Sequence, residues 1–167
     1  YLYQLGHRKI AYLGVDNSLV FSADRRNGYQ LALTRHGIVP KPEYCVELPS
    51  ITAGEDTPVH ALLRSASRPT AIVVSDDILA LTLERICTET GLSIPADLSI
   101  LSFNNSLFAR LTSPQMTSID INSCQLGIEA AAQMISHIEN PELPATKILV
   151  PHQLIERDSC ARPVSHS

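Results

Sequence analysis

The sequence predicts an α/β fold, a parallel sheet flanked by helices. Three observations carry this: four short apolar runs between residues 9 and 104, helical stretches between them, and glycines at several junctions. Strands separated by helices of this length need crossover connections. Such connections make neighbouring strands parallel and cover both faces of the sheet.

The elements follow in order. After Gly6, "KIAYLGV" (Lys9 to Val15) is a buried strand, aromatic and β-branched. "SADRRNGYQLALTRHG" reads as a helix with Ser22 as its cap and Gly37 as its stop. A second strand, "YCVEL", precedes a Pro/Ser/Thr/Gly-rich loop over 49–54 and a helix over about 56–65. "TAIVVS" is the third strand, a helix from Ile78 to Thr90 ends at Gly91, and "LSILSFN" (Leu98 to Asn104) is the fourth strand. Beyond residue 112 the order changes. "TSPQMTSIDIN" reads as an extended connector, and "SCQLGIEAAAQMISHIEN" as an amphipathic helix with Leu126, Ala130, Met134 and Ile138 at four-residue intervals. Pro141 and Pro144 end it, and "KILVPHQLIERDSC" reads as a last strand pair broken by Pro151.

With 167 residues, 44% of them hydrophobic, and a mean hydropathy of +0.06, the chain can bury one real core. A net charge of -4 and a pI near 5.8 argue against a grip on nucleic acid by this stretch alone, since phosphate binding needs clustered Lys and Arg. Cys45, Cys87, Cys124 and Cys160 form no C-x-x-C pair and have no His at finger spacing. Neither a zinc site nor a disulfide framework is expected, and a reducing, cytoplasmic compartment fits best. No window reaches the roughly 18 apolar residues of a membrane span, and no signal pattern opens the chain. "YLYQLGHRK" begins without Met and with a mid-helix look, so the sequence reads as a fragment.

The adjacent Asp76 and Asp77 lie where a strand hands over to a helix, on the ligand side of an open sheet. Consecutive strand residues point to opposite faces, so the two carboxylates are not expected to converge on one metal ion. Capping of the following helix, with some cleft exposure, is the stronger reading. Arg25 and Arg26 occupy the equivalent junction after the first strand; Arg25 could offer a planar fork to hydroxyls, or either could be a solvated helix residue. Asn104 and Asn105 could read hydroxyls through their amides or close a turn, and Asn favours the turn. His7 and His36 sit at helix ends with no nucleophile partner, and neither a G-x-S-x-G elbow nor a glycine-rich phosphate loop is present. No catalytic residue, cofactor or metal is assigned.

Six strings, in order and at consistent spacing, resemble the lactose-repressor/galactose-repressor family of bacterial transcription regulators. They are "LGHRKIAYLG", "DRRNGYQLAL", "RPTAIVVSDDILAL", "GLSIPADLSILSFNN", "SPQMTSIDIN" and "LIERDSC", and together they span nearly the whole chain. The resemblance implies a two-lobed effector-binding core similar to periplasmic sugar-binding proteins. Residues 1–114 would form most of the C-terminal lobe, 115–145 a hinge and a helix of the N-terminal lobe, and 146–167 return strands and a tail. It further implies that Arg25, Asp76, Asn104, Phe21 and Ser50 line the effector cleft, Phe21 and Ser50 from loops, with Asp77 starting the helix. Asn104 stands where relatives carry an Asp in a "G-[FY]-D" string, here "SFN". Ile78, Leu81, Thr82 and Arg85 on one helix, with Leu107 and Leu111, would form a homodimer surface.

The implied partners are a small carbohydrate, operator DNA through a helix-turn-helix headpiece absent here, and a phosphocarrier co-repressor protein. "SFNNS...TSPQMTSIDIN" resembles the maltose-operon repressor branch, which suggests a maltose-like effector. Thr117 to Asn122 is the candidate hinge. The rival readings are an extracytoplasmic sugar-binding protein of a transporter and a small hydrolase or phosphatase using Asp76 or Asp77.

Overall fold

The computed structural model describes residues 1–15, 20–49 and 57–164. One six-stranded sheet organises them, in the order β2-β1-β3-β4-β5-β6: β1 (Ile10–Val15), β2 (Cys45–Leu48), β3 (Ala71–Val74), β4 (Ser99–Phe103), β5 (Thr117–Asp120) and β6 (Gln153–Ile155). The first five pair in parallel; β6 joins the β5 edge antiparallel, with Asp120 opposite Gln153.

Side-chain alternation along these strands feeds two cores. Ile10 and Tyr12 of β1, with Ala71 of β3 and Leu101 of β4, face α1 (Leu2–Leu5) and α2 (Val20–Arg35), packing on Leu2, Tyr29 and Leu33. Ala11, Leu13 and Val15, with Ile72, Val74 and Ile100, face α3 (Thr57–Arg64), α4 (Asp77–Glu89) and α5 (Leu107–Leu111). Leu79, Ala80, Leu83 and Ile86 of α4 are fully buried there. The chain moves one way from β1 to β2 and the other way from β2 onward. Right-handed crossovers therefore place α2 on one face and α3 and α4 on the other. The direction reverses between β1 and β3. Open α/β sheets have their crevice at that point, beyond the carboxyl ends of the strands.

Several boundaries differ from expectation. Helix α2 begins at Val20, so Ser22 lies inside the helix and not at its cap; it is fully buried, and its backbone carbonyl accepts from the Tyr12 hydroxyl at 3.4 Å. Tyr44 belongs to a short 3-10 turn (Pro42–Tyr44), and the second strand begins after it. "TSPQMTSIDIN", expected as a connector, contains the fifth parallel strand. It forms because the edge of β4 is free to pair and because Met116, Thr117 and Ser118 can be buried against it. Of the expected final strand pair only β6 forms. "KILV" has no strand partner among the described residues.

Helix α6 (Ser123–Glu139) has no buried residue, and Leu126, Ile128, Met134, Ile135 and Ile138 are exposed. Its apolar positions therefore face away from both cores.

Candidate functional site

Arg25 is placed by the first turns of α2, which leaves the sheet beside the β1–β3 reversal. Its guanidinium donates Nη1–H to the Ser75 carbonyl and Nη2–H to Asn104 Oδ1 at 3.0 Å. The same group lies over two rings, Phe103 at 4.6 Å and Phe21 at 5.1 Å from their centroids. Burial pushes the Arg25 pKa below its usual value, and the nearby Asp76, Tyr12 and Asp77 partly offset this. The two oxygens that hold the cation are both neutral. Its planar fork is thus fixed in direction by stacking and two hydrogen bonds, a way of aiming remaining donors at a ligand.

Asp76 follows β3 in extended backbone and caps α4. Its Oδ1 accepts from Leu79 N–H at 2.8 Å and its Oδ2 from Ser75 Oγ at 3.2 Å, leaving it 8% exposed. Asp77, expected to serve the helix start, has another task. Although it is the first helical residue, its carboxylate turns into the sheet: Oδ1 accepts from Ser102 Oγ (2.5 Å) and Ser118 Oγ (2.9 Å), and Oδ2 from Ser106 N–H (2.6 Å). It ties the start of α4 to β4, β5 and the loop before α5. The two carboxylates thus serve different partners, one at the helix cap and one across the sheet. Among the described residues no three His, Cys, Asp or Glu side chains form a metal-holding group.

Asn104 leaves β4 with φ 96° and Asn105 follows with φ 47°, so the asparagines do close a turn while Asn104 also reaches Arg25. Phe21 lies in the first turns of α2, not in a loop, and is 44% exposed. Ser50 lies outside the described residues. The structure thus brings Arg25, Asn104 and Phe21 into contact, with Asp76 close enough to act on Arg25 electrostatically. Phe103 was missed by sequence reasoning. Its signal was an aromatic as the last residue of a strand ending at the ligand rim.

A cavity of about 460 Å³ begins at Arg25 and Phe103 and runs between α1 and α2 past Tyr29 and Leu33 to His36. Its walls are mostly apolar, and neither Asp76 nor Asn104 lines it. Of the polar groups, Arg25 borders it, Asn104 is half-buried beside Arg25, and Asp76 is buried.

The expected dimer residues fall on one face of α4 and on α5. Ile78, Leu107 and Leu111 are 47%, 59% and 69% exposed; Leu81 and Thr82 are half-buried; Arg85 is exposed and pairs with Glu89 at 2.5 Å. No described helix is long and apolar enough to cross a membrane.

A doubly wound sheet with a polar rim at its reversal defines a ligand-binding α/β domain, and comparison agrees: residues 1–160 match the periplasmic binding protein-like domain, and the chain belongs to that family. Its relatives are LacI-family transcriptional regulators. Among them are the ribose operon repressor of Haemophilus influenzae (32% identical, 84% of this chain, 42% of the relative) and the transcriptional repressor PurR of Edwardsiella ictaluri (30%, 96% and 47%). A solved LacI transcriptional regulator from Bacillus cereus subsp. cytotoxis superimposes with a TM-score of 0.90 (36% identity, 97% of this chain, 57% of that one). A LacI-family regulator from Enterococcus faecium with bound ribose does so at 0.82 (28%, 96% and 59%). The chain spans about half the length of the curated relatives it matches. None of these relatives is named as a transport protein or an enzyme.

Proposed function

We propose that this chain is the effector-sensing part of a bacterial transcriptional repressor. A small neutral carbohydrate, maltose-like in the particular reading, binds at the rim formed by Arg25, Asn104, Asp76 and Phe21, and its occupancy controls operator binding by a helix-turn-helix headpiece outside this chain. The observation that carries the reading is the contact of Arg25 with Asn104 and Phe21 at the sheet reversal. A guanidinium, an amide and a carboxylate offer both donors and acceptors, and the aromatic rings offer a face for a sugar's C–H groups.

Residues 1–114 form most of one lobe in this proposal, and 115–145 carry the hinge and a helix of a second lobe. Residues 146–167 return to the first lobe and carry a tail. The exposed apolar stripe of α6 supports the division, because an amphipathic helix with nothing beneath that stripe is suited to a core formed by other parts of a longer protein. The exposed Ile78, Leu107 and Leu111 support a homodimer through α4 and α5. Function in the cytoplasm, with a phosphocarrier protein as a second partner, completes the proposal. Ligand must bind one lobe arrangement more tightly than the other, and a coupling of roughly 1–3 kcal/mol suffices to change DNA affinity.

Calorimetric titration of the full-length protein with maltose, cellobiose and ribose tests the site. Arg25→Ala should weaken binding of the active sugar by about 2 kcal/mol, roughly 30-fold, from the loss of charge-assisted hydrogen bonds. Undiminished binding by that variant would remove Arg25 from the site.

A further inference from the structure

Asn104 and Asn105 are consecutive, yet their side chains are held by different parts of the molecule. Asn104 Oδ1 accepts from Arg25 at 3.0 Å. Asn105 is bound where β5, α6 and β6 approach one another. Its Nδ2–H donates to Asp120 Oδ2 at 2.9 Å, its Oδ1 accepts from Arg157 Nη2 at 2.5 Å, and its backbone N–H donates to Ser118 Oγ at 3.0 Å. Arg157 is itself fixed by donating Nη1–H to the Met116 carbonyl at 2.7 Å. The second oxygen of Asp120 accepts the backbone N–H of Asn122 at 2.7 Å, and Asn122 is the residue that starts α6, in left-handed backbone of its own (φ 53°).

Joined by the Asn104–Asn105 peptide, these bonds lead from Arg25 to the base of α6. The two asparagines share one rigid peptide plane and both have positive φ, a conformation available to few residues. A change in the backbone of one is therefore passed to the other. Because α6 buries no residue, its pose among the described residues depends on polar contacts: those at its base, the Asp120–Gln153 pairing beside it, and the bond that Thr146 Oγ1 donates to Gln133 at 2.8 Å.

We infer that Asn105 is a positioning residue that couples occupancy of the Arg25–Asn104 site to the pose of α6. This rests on the site reading given above. A ligand hydroxyl that replaces Asn104 as the acceptor of Arg25 Nη2–H frees the Asn104 amide, the backbone there relaxes, and Asn105 shifts against Asp120 and Arg157. Asn122 follows through Asp120. Leverage makes a small shift visible: α6 has 17 residues, roughly 25 Å at about 1.5 Å per residue, so a tilt of about 10° moves its far end by about 4 Å.

The experiment uses the full-length protein labelled with an environment-sensitive dye at Cys124, the exposed second residue of α6, and titrated with maltose. Asn105→Ala and Asp120→Ala should bind maltose within about threefold of the parent while losing most of the dye response, the signature of lost coupling with retained affinity. Asn104→Ala should lose affinity. An unchanged dye response in both coupling variants would overturn the inference. If the parent does not bind maltose, the ligand reading fails for that sugar, and hydrogen exchange on the unliganded protein decides the coupling separately. Both variants should then speed exchange over residues 119–126 while β1 and β3 stay as protected as in the parent. Equal exchange throughout, or faster exchange in β1 and β3 as well, would overturn it.

Discussion

Two neighbouring aspartates show what a sequence can and cannot assign to single residues. The sequence argued that Asp76 and Asp77 diverge because strand side chains alternate; they do have separate partners, but from a helix cap and a first helical residue, past the end of β3. Which one caps the helix was not legible, because capping depends on whether a carboxylate has better partners elsewhere. Asp77 has them in Ser102, Ser118 and Ser106, residues 25 to 41 positions away in sequence. Asp76→Ala should cost about 1 kcal/mol, the usual loss for a helix cap. Asp77→Asn should cost more, about 2–4 kcal/mol, because a buried carboxylate fed by three donors is replaced by a group that brings donors of its own. Urea unfolding of the two variants ranks them; equal losses would contradict the assignment. His7 gives a pH signature. Its ring lies 2.9 Å from Thr70 Oγ1 and 2.8 Å from the Ala161 carbonyl, and burial lowers its pKa, only partly offset by the Ala161 bond. The unfolded chain therefore binds this proton more readily than the folded one. Stability is full above the ordinary value of 6.5, falls as the pH drops below it, and stops falling once folded His7 is also protonated. His7→Gln should reduce the loss between about pH 7 and the folded pKa, measured by urea midpoints across that window.

Among the elements, the apolar, β-branched strands β1, β3 and β4 were plain from composition alone, since a strand covered on both faces must be apolar almost throughout. Strand β5 was not. "TSID" has one apolar residue in four, and its Thr117 and Ser118 are buried through hydrogen bonds to Ser159 Oγ, the Arg157 carbonyl and Asp77, all remote in sequence. "KILV" is the opposite case: it has strand composition without a strand, because composition cannot supply a neighbour to pair with. Helix α5 was named as a segment only. Its five residues owe their placement to Ala109, which is fully buried in the core shared with α4, while Leu107 and Leu111 turn outward. Replacing both with Glu should leave the fold intact and convert a dimeric full-length protein to monomer in sedimentation velocity. A dimer that survives the double substitution would place its interface elsewhere.

In the whole molecule, the parallel sheet and the position of Arg25, Asp76 and Asn104 at its carboxyl rim were legible, because both follow from the alternation of elements. The actual contacts were not, since Arg25 meets Asn104 across 79 residues of chain. The two cores account for the buried apolar residues on the sheet, and α6 adds none. Removing residues 121–152 and joining β5 to β6 through an Asn-Gly turn should therefore leave a folded six-stranded domain, with a melting temperature within about 5 °C of the parent chain. A collapse of cooperative unfolding would show that the excursion supports the core. The pairing of Asp120 with Gln153 has a geometric corollary. Where outbound and inbound chain sit side by side on one sheet edge, the stretch between them is fastened like a page to a spine. It can turn about that line but has little freedom to slide along it, so whatever α6 touches in a longer protein would be met by a swing through an arc.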